Sequence, residues 1–301
     1  MSLIFFERVD FVLKKILFTG VGTAIATPFN SNGINIPAFE KLLSFQLLNS
    51  VDSIVVCGTT GEASTMSDDE KSSVIKCAVD FVDRKVPIIV GCGSNDTNKA
   101  IFNAKMAESL GADGLLVVTP YYNKCTQSGL IKHYSKIAES VSIPIILYNV
   151  PSRTGVNIEP ETCFELSKVS NIVAIKEASG NISQVAKISA LCNDNLFIYS
   201  GNDDQVIPIL SLGGIGVISV LSNIKPLETH NMVTSFFDGN LSASKNLQLG
   251  LLPLISALFC EVNPIPVKYA LNILGFDFGV PRLPLSELSS KNKLLLDNLL
   301  A

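Results

Sequence analysis

From Val21 onward, short apolar runs alternate with longer stretches whose apolar residues recur at helical spacing. The runs are VGTAIATPF from Val21, SIVVCG from Ser53, PIIVGCG from Pro87, GLLVVTP from Gly114, IPIILYNVP from Ile143, VAIKEAS from Val173, LFIYSG from Leu196 and GVISVLS from Gly216. Their starts lie about 20 to 34 residues apart, the length of a strand plus a helix. Between them, SDDEKSSVIKCAVDFV places Val74, Ile75, Ala78, Val79 and Val82 on one helical face and opens with Ser67 and Glu70 spaced as a capping box. TNKAIFNAKMAESLGADG behaves alike and stops at Gly111. Near-continuous apolar strands separated by amphipathic helices predict a parallel sheet buried on both faces, and eight such units predict a closed (β/α)8 barrel, an α/β fold.

After Ser222 the strand pattern ends. ETHNMVTSFFDG, SASKNLQLGLLPLISALFC, NPIPVKYALNILG and LSELSSKNKLLLDNLL all read as helices. The predicted organisation is an extension over residues 1–16, a barrel over 17–240 and a helical appendage over 241–301. The extension, MSLIFFERVDFVLKKI, is interrupted by Glu7, Arg8 and Asp10, so it lacks the uncharged core of a signal peptide. It reads as a short amphipathic segment or a start codon placed too early.

Charge and composition narrow the functions. Of 301 residues 47% are hydrophobic and 17% charged, enough apolar content for a large core, and the formal net charge is -4. Without a basic cluster, nucleic acid and anionic membrane surfaces are not expected partners. Seven dispersed cysteines with no C-x-x-C pair suit a reducing cytoplasm. Two histidines, His133 and His230, stand apart from any metal-spaced cluster, so no metal is expected.

Barrel enzymes assemble their sites at the C-terminal ends of strands. Those ends carry Cys57-Gly-Thr-Thr-Gly-Glu62, Thr119-Pro-Tyr-Tyr-Asn123, Tyr148-Asn-Val-Pro-Ser-Arg-Thr-Gly155, Lys176 and Ser200-Gly-Asn-Asp203. An amine among apolar walls is easier to deprotonate and can attack a carbonyl carbon. The imine it forms with a 2-oxo acid is an electron sink. A phenol such as Tyr148 can move protons, Thr hydroxyls and their N–H groups can hold a carboxylate, and Arg153 can grip a second one. This is the equipment of a Schiff-base aldolase. Other readings stand beside it: Lys176 as a salt-bridge partner of Glu177 or Glu62, Tyr121 and Tyr122 as surface packing, and GTTGE as a helix-entry turn. Leu212-Gly-Gly-Ile-Gly216 resembles a phosphate loop but precedes the eighth strand, so it reads as a tight turn at the opposite face.

GTTGE, TPYYN, YNVPSRTG, IKEASG, YSGNDD, GVISV and NPIPVK, in that order from about Leu17 to the C-terminus, resemble the dihydrodipicolinate synthase family of pyruvate-dependent Schiff-base aldolases. The resemblance implies a lyase that condenses pyruvate with aspartate 4-semialdehyde on the diaminopimelate route to lysine. It implies Lys176 as the imine-forming lysine, Tyr148 as the proton relay, and Thr59 as the link from Tyr148 to Tyr122, which enters from a neighbouring subunit. Thr60 would cradle the pyruvate carboxylate, the carbonyls of Gly201 and Ile218 would face the intermediate, and Arg153 would position the semialdehyde carboxylate. No cofactor beyond the covalent pyruvate imine is implied, and the expected assembly is a homotetramer built as a dimer of dimers. Arg153 separates this reading from sialic acid and sugar-acid lyases. A catalytically dead barrel that only binds a 2-oxo acid is a third reading, against which every reactive position is filled. One departure stands out: lysine-inhibited members carry histidine and glutamate where this chain has Lys71 and Lys99, in a pocket that also uses Asn95 and Tyr121. Two ammonium groups there would disfavour a lysine cation by about 1 kcal/mol or more each, so weak or absent lysine feedback is expected.

Overall fold

A computed structural model describes residues 14–301; most of the predicted extension over residues 1–16 therefore lies outside the described residues. Eight strands form the barrel: β1 (Gly20–Ala24), β2 (Ser53–Val56), β3 (Ile88–Gly91), β4 (Gly114–Val118), β5 (Ile145–Asn149), β6 (Ile172–Glu177), β7 (Phe197–Ser200) and β8 (Gly216–Ser219). Each pairs in parallel with its sequence neighbours, and β8 closes on β1. All eight coincide with the apolar runs.

Helices cover the outside: α1 (Ile36–Leu48), α2 (Asp68–Val82), α3 (Thr97–Ser109), α4 (Gln127–Ala138), α5 (Pro160–Ser167), α6 (Ile182–Cys192), α7 (Val206–Ser211) and α8 (Pro226–Phe237). The α2 entry is the predicted capping box, with Ser67 Oγ accepting from the Glu70 N–H at 3.2 Å and Glu70 Oε2 accepting from the Ser67 N–H at 2.9 Å. Val74, Ile75, Ala78 and Val82 are buried on its inner face, whereas Val79 is only partly covered. Gly213 adopts a left-handed φ of 92° just before β8, so the glycine cluster is a turn at the strand's N-terminal end.

The appendage consists of α9 (Leu241–Leu258), α10 (Ile265–Ile273) and α11 (Ser290–Leu300). The last differs from the sequence reading, which took LSELS as helical too. Ser289 is instead extended, and its N–H and hydroxyl both donate to Glu261 Oε1, at 3.1 and 2.6 Å, so the helix starts only beyond it. Among the described residues no helix is long and apolar enough to cross a membrane.

Two packed layers result. The larger fills the space between strands and helices, and the smaller fills the barrel interior with Ala24, Val55, Ile89, Leu116, Ile146 and their neighbours. At the N-terminal mouth Phe18 stacks on Tyr199 with ring centroids 4.4 Å apart, and the Tyr199 hydroxyl donates to the Phe18 carbonyl at 2.6 Å. The floor of the barrel is closed by this pair.

One irregularity decides which way β6 faces. Ile145 pairs with Ile172 and Ile146 with Ala174, leaving Val173 as an extra residue. Unbroken alternation from the outward Ile172 would turn Lys176 outward as well. The bulge resets the phase, so Lys176 shares the inner face with its partner Tyr148 while Glu177 and Asn149 share the outer one.

Candidate active site

Lys176 projects into the C-terminal half of the barrel and is 5% exposed. Its ammonium nitrogen lies 4.4 Å from the centre of the Tyr148 ring. Neither carboxylate considered as a salt-bridge partner reaches it. Glu177 faces outward and accepts from Asn149 Nδ2 at 2.9 Å, the Ser179 N–H at 2.7 Å and Gln184 Nε2 at 3.3 Å; burial pushes its carboxyl above the usual range. Glu62 is paired with Lys268 at 2.7 Å. Lys176 is thus a buried amine without an ion pair among the described residues.

A cavity of about 210 Å³ opens above it, lined by Thr59, Thr60, Tyr148, Arg153, Lys176 and Gly201 among others. Six of the eight residues singled out in the sequence therefore converge. A Cβ at Gly201 would sit 2.7 Å from the Ala178 side chain and 3.1 Å from Lys176 Cγ, so only glycine lets the end of β7 approach the lysine this closely. Thr59 and Tyr148 line the cavity without a hydrogen bond between them. Ile218 is fully buried within β8 and is not part of the wall, whereas Val220, just beyond β8, is. Tyr122 is 89% exposed with φ of 74°, turned away from its own chain's cavity.

The wall has a third component that the sequence reading quoted only as a motif. Asn263, before α10, donates through Nδ2 to Thr60 Oγ1 at 3.0 Å, and its carbonyl accepts from Arg153 at 3.3 Å. Five residues on, the fully buried Lys268 holds Glu62, whose second oxygen accepts from the Arg282 N–H at 2.9 Å. Glu62 itself is left-handed, φ 53°, ending the turn that displays Thr59 and Thr60. The appendage thereby braces the β2 loop from outside the barrel. A polar residue preceding a Pro-rich helix start was the available signal for Asn263.

Asp203, outside the cavity lining, holds the turn that follows β8. Its Oδ2 accepts from the N–H groups of Val220 and Leu221, both at 3.0 Å. Burial raises its carboxyl despite these bonds and the positive charge of Lys176. The site therefore combines a buried unpaired amine, a phenol beside it, a hydroxyl-lined loop and a guanidinium, which suits imine chemistry on an anionic carbonyl compound.

Comparison with known proteins agrees with this chemistry. A model of the "Dihydrodipicolinate synthetase family" matches residues 17–301. The 4-hydroxy-tetrahydrodipicolinate synthase of Caldicellulosiruptor saccharolyticus is 58% identical over 281 residues, covering 93% of this chain and 95% of the relative. The crystal structure of dihydrodipicolinate synthase from Thermotoga maritima superimposes with a TM-score of 0.93 at 45% identity, covering 95% of this chain and 98% of that one. That of the enzyme from Cyanidioschyzon merolae with lysine bound gives 0.91 at 39% identity, over 94% and 97% of the two chains. The chain belongs to the dihydrodipicolinate synthetase family.

Proposed function

We propose that the chamber condenses pyruvate with aspartate 4-semialdehyde to 4-hydroxy-tetrahydrodipicolinate through an imine on Lys176, in the diaminopimelate branch of lysine synthesis. The observation that carries this is the buried Lys176 amine, free of any carboxylate and 4.4 Å from the Tyr148 ring, in a cavity that Arg153 also reaches. The amine adds to C2 of pyruvate and water leaves. Loss of a C3 proton gives the enamine, whose carbon attacks the aldehyde. Attack by the substrate's own amino group at C2 then closes the ring and releases Lys176. Tyr148 takes and returns the protons, Thr60 holds the pyruvate carboxylate, and Arg153 holds that of the aldehyde. The reading calls on no cofactor.

Tyr122 serves a second copy of the chain in this reading, which is why it stands out from its own subunit; a dimer satisfies the requirement, and a tetramer repeats it. A reducing cytoplasm suits the seven free cysteines. Lysine feedback is weak, because Lys71 and Lys99 both enter the neighbouring pocket; Asp68, 2.6 Å from Lys99 and 3.9 Å from Lys71, offsets one of the two charges.

Borohydride reduction in the presence of pyruvate tests the centre of the proposal: the pyruvate-derived mass is expected on Lys176, and its absence there removes the mechanism. Aspartate 4-semialdehyde should be consumed with pyruvate, and N-acetylmannosamine should not. Inhibition by lysine at low-millimolar concentration or below would overturn the statement about feedback.

A further inference from the structure

The stem of Lys176 leans on the chain that leaves β7. The Gly201 N–H donates to the carbonyl of Glu177, the residue after the lysine, at 2.8 Å, and a Cβ at Gly201 would stand 3.1 Å from Lys176 Cγ. What holds Gly201 in turn is not the sheet. The ladder between β7 and β8 pairs Tyr199 with Gly216 and Ser200 with Val217, and it ends there, before either chain reaches the chamber. Beyond that point a side chain takes over. Asp203 is 2% exposed, and its Oδ2 alone accepts from the N–H groups of Val220 and Leu221, which follow β8. Val220 lines the chamber with Gly201 and Lys176. The Asp203 carbonyl is itself fastened from the appendage: it accepts from Gln248 Nε2 on α9 at 2.9 Å, and Gln248 Oε1 accepts from the Ile207 N–H at 3.4 Å.

We propose that Asp203 is a positioning residue for the reaction: its carboxylate clamps the end of β7 to the turn after β8, and the clamped Gly201 backbone holds the Lys176 amine on its line of attack. The proposal rests on the imine chemistry assigned above to Lys176. Asp203 lies outside the chamber lining and acts through Gly201 and Val220. Without it the two strand ends part where no ladder joins them, and the lysine stem loses the surface it leans on. Addition of an amine to C2 of a 2-oxo acid depends steeply on the placement of the nitrogen, so this step and the loss of water that completes the imine are the ones that suffer. Capture of the aldehyde does not, because Arg153 follows β5 and the clamp does not touch it. The clamp needs an acceptor at the place of Oδ2 and nothing more. Oδ1 makes no hydrogen bond among the described residues, so an asparagine can put its oxygen at the first place and its nitrogen at the second without breaking a bond.

Timed borohydride trapping of pyruvate on the full chain, followed by mass spectrometry at saturating pyruvate, tests this together with steady-state kinetics. Asp203→Ala is expected to slow adduct formation roughly tenfold or more while the KM of the aldehyde stays within about twofold of the parent, and Asp203→Asn to recover the rate to within about threefold. A parental rate in Asp203→Ala, an Asp203→Asn protein as slow as Asp203→Ala, or a loss carried by the KM of the aldehyde would each overturn the proposal. Amide hydrogen exchange reads the clamp without any substrate. Gly201, Val220 and Leu221 should exchange faster in Asp203→Ala and at the parental rate in Asp203→Asn; unchanged exchange at Gly201 overturns the link to the lysine. A parent that traps no pyruvate would instead count against the proposed reaction, with the exchange data still deciding the clamp. Should Asp203→Ala fail to fold in a thermal melt, Gln248→Met removes the backing bond alone: about a threefold slowing of trapping supports the proposal, and an unchanged rate refutes it.

Discussion

Two lysines are buried in this molecule under opposite circumstances. Lys268, fully buried at the start of the appendage, lies 2.7 Å from Glu62 and 4.3 Å from the centre of the Phe29 ring. Burial lowers its proton affinity and the Glu62 charge restores part of it. Lys176, nearly as buried, lies against an aromatic ring and forms no ion pair among the described residues. Removing the proton from Lys268 would strand Glu62 as a lone charge in an apolar place; Lys176 has no such partner to strand. Burial is common to both, so it is the missing partner that makes Lys176 the candidate nucleophile.

Substitution at the two positions should separate these roles most strongly. Lys176→Met is expected to lower kcat by ~10⁴-fold or more, as when a nucleophile is removed, with a thermal melt no lower than that of the parent. Lys268→Met should do the opposite, destabilising the fold by about 3–5 kcal/mol because Glu62 is left unpaired. Adding Glu62→Gln should recover much of that loss in denaturant titration, and no recovery would mean that the pair does not carry the brace. Tyr148→Phe should cost roughly 10²–10³-fold in kcat, the usual worth of a positioned proton donor, while pyruvate is still trapped on Lys176. A smaller effect is expected where the two regions meet: Asn263→Ala removes one hydrogen bond to Thr60, worth about 1 kcal/mol, and should raise the KM for pyruvate about fivefold with little change in stability.

The gentlest test uses pH. Arg282 donates to Glu70 at 2.8 Å and holds its carboxyl below the unfolded value of 4.5. A depressed carboxylate stabilises the fold above that value, and its contribution is lost as pH falls through the folded pKa. Stability of the parent should therefore decline below about pH 4.5, and Arg282→Leu should make that decline shallower in acid-titration melts. An unchanged acid limb would show that Glu70 contributes nothing through Arg282.

The barrel was legible because each strand is buried on both faces and so appears as an uninterrupted apolar run. That same uniformity hid the direction of Lys176. IVAIKE offers no polar alternation from which to read the phase, and the extra residue at Val173 is seen only in the register with β5. Distance along the chain concealed the brace: Glu62 and Lys268 are 206 residues apart, so Glu62 was weighed as a partner for Lys176 and Lys268 was not singled out. Asp68 was passed over for a similar reason, since a first-turn acidic residue on α2 looks like a partner for the helix dipole rather than for Lys99 on α3. Tyr122 was assigned to a neighbouring subunit's site through the resemblance alone, and in the structure it is exposed and outside its own chain's cavity.

The Phe18–Tyr199 stack lies at the N-terminal mouth, so among the described residues the cavity above Lys176 is reached from the C-terminal side. Whatever reaches Lys176 passes the same rim in both directions, and the first molecule to be captured becomes the floor on which the next one lands. Order of arrival is then a matter of plumbing as much as of affinity. An aldehyde that arrives early occupies that approach and must withdraw before a 2-oxo acid can pass beneath it, so an excess of the second reactant should slow the cycle rather than hasten it.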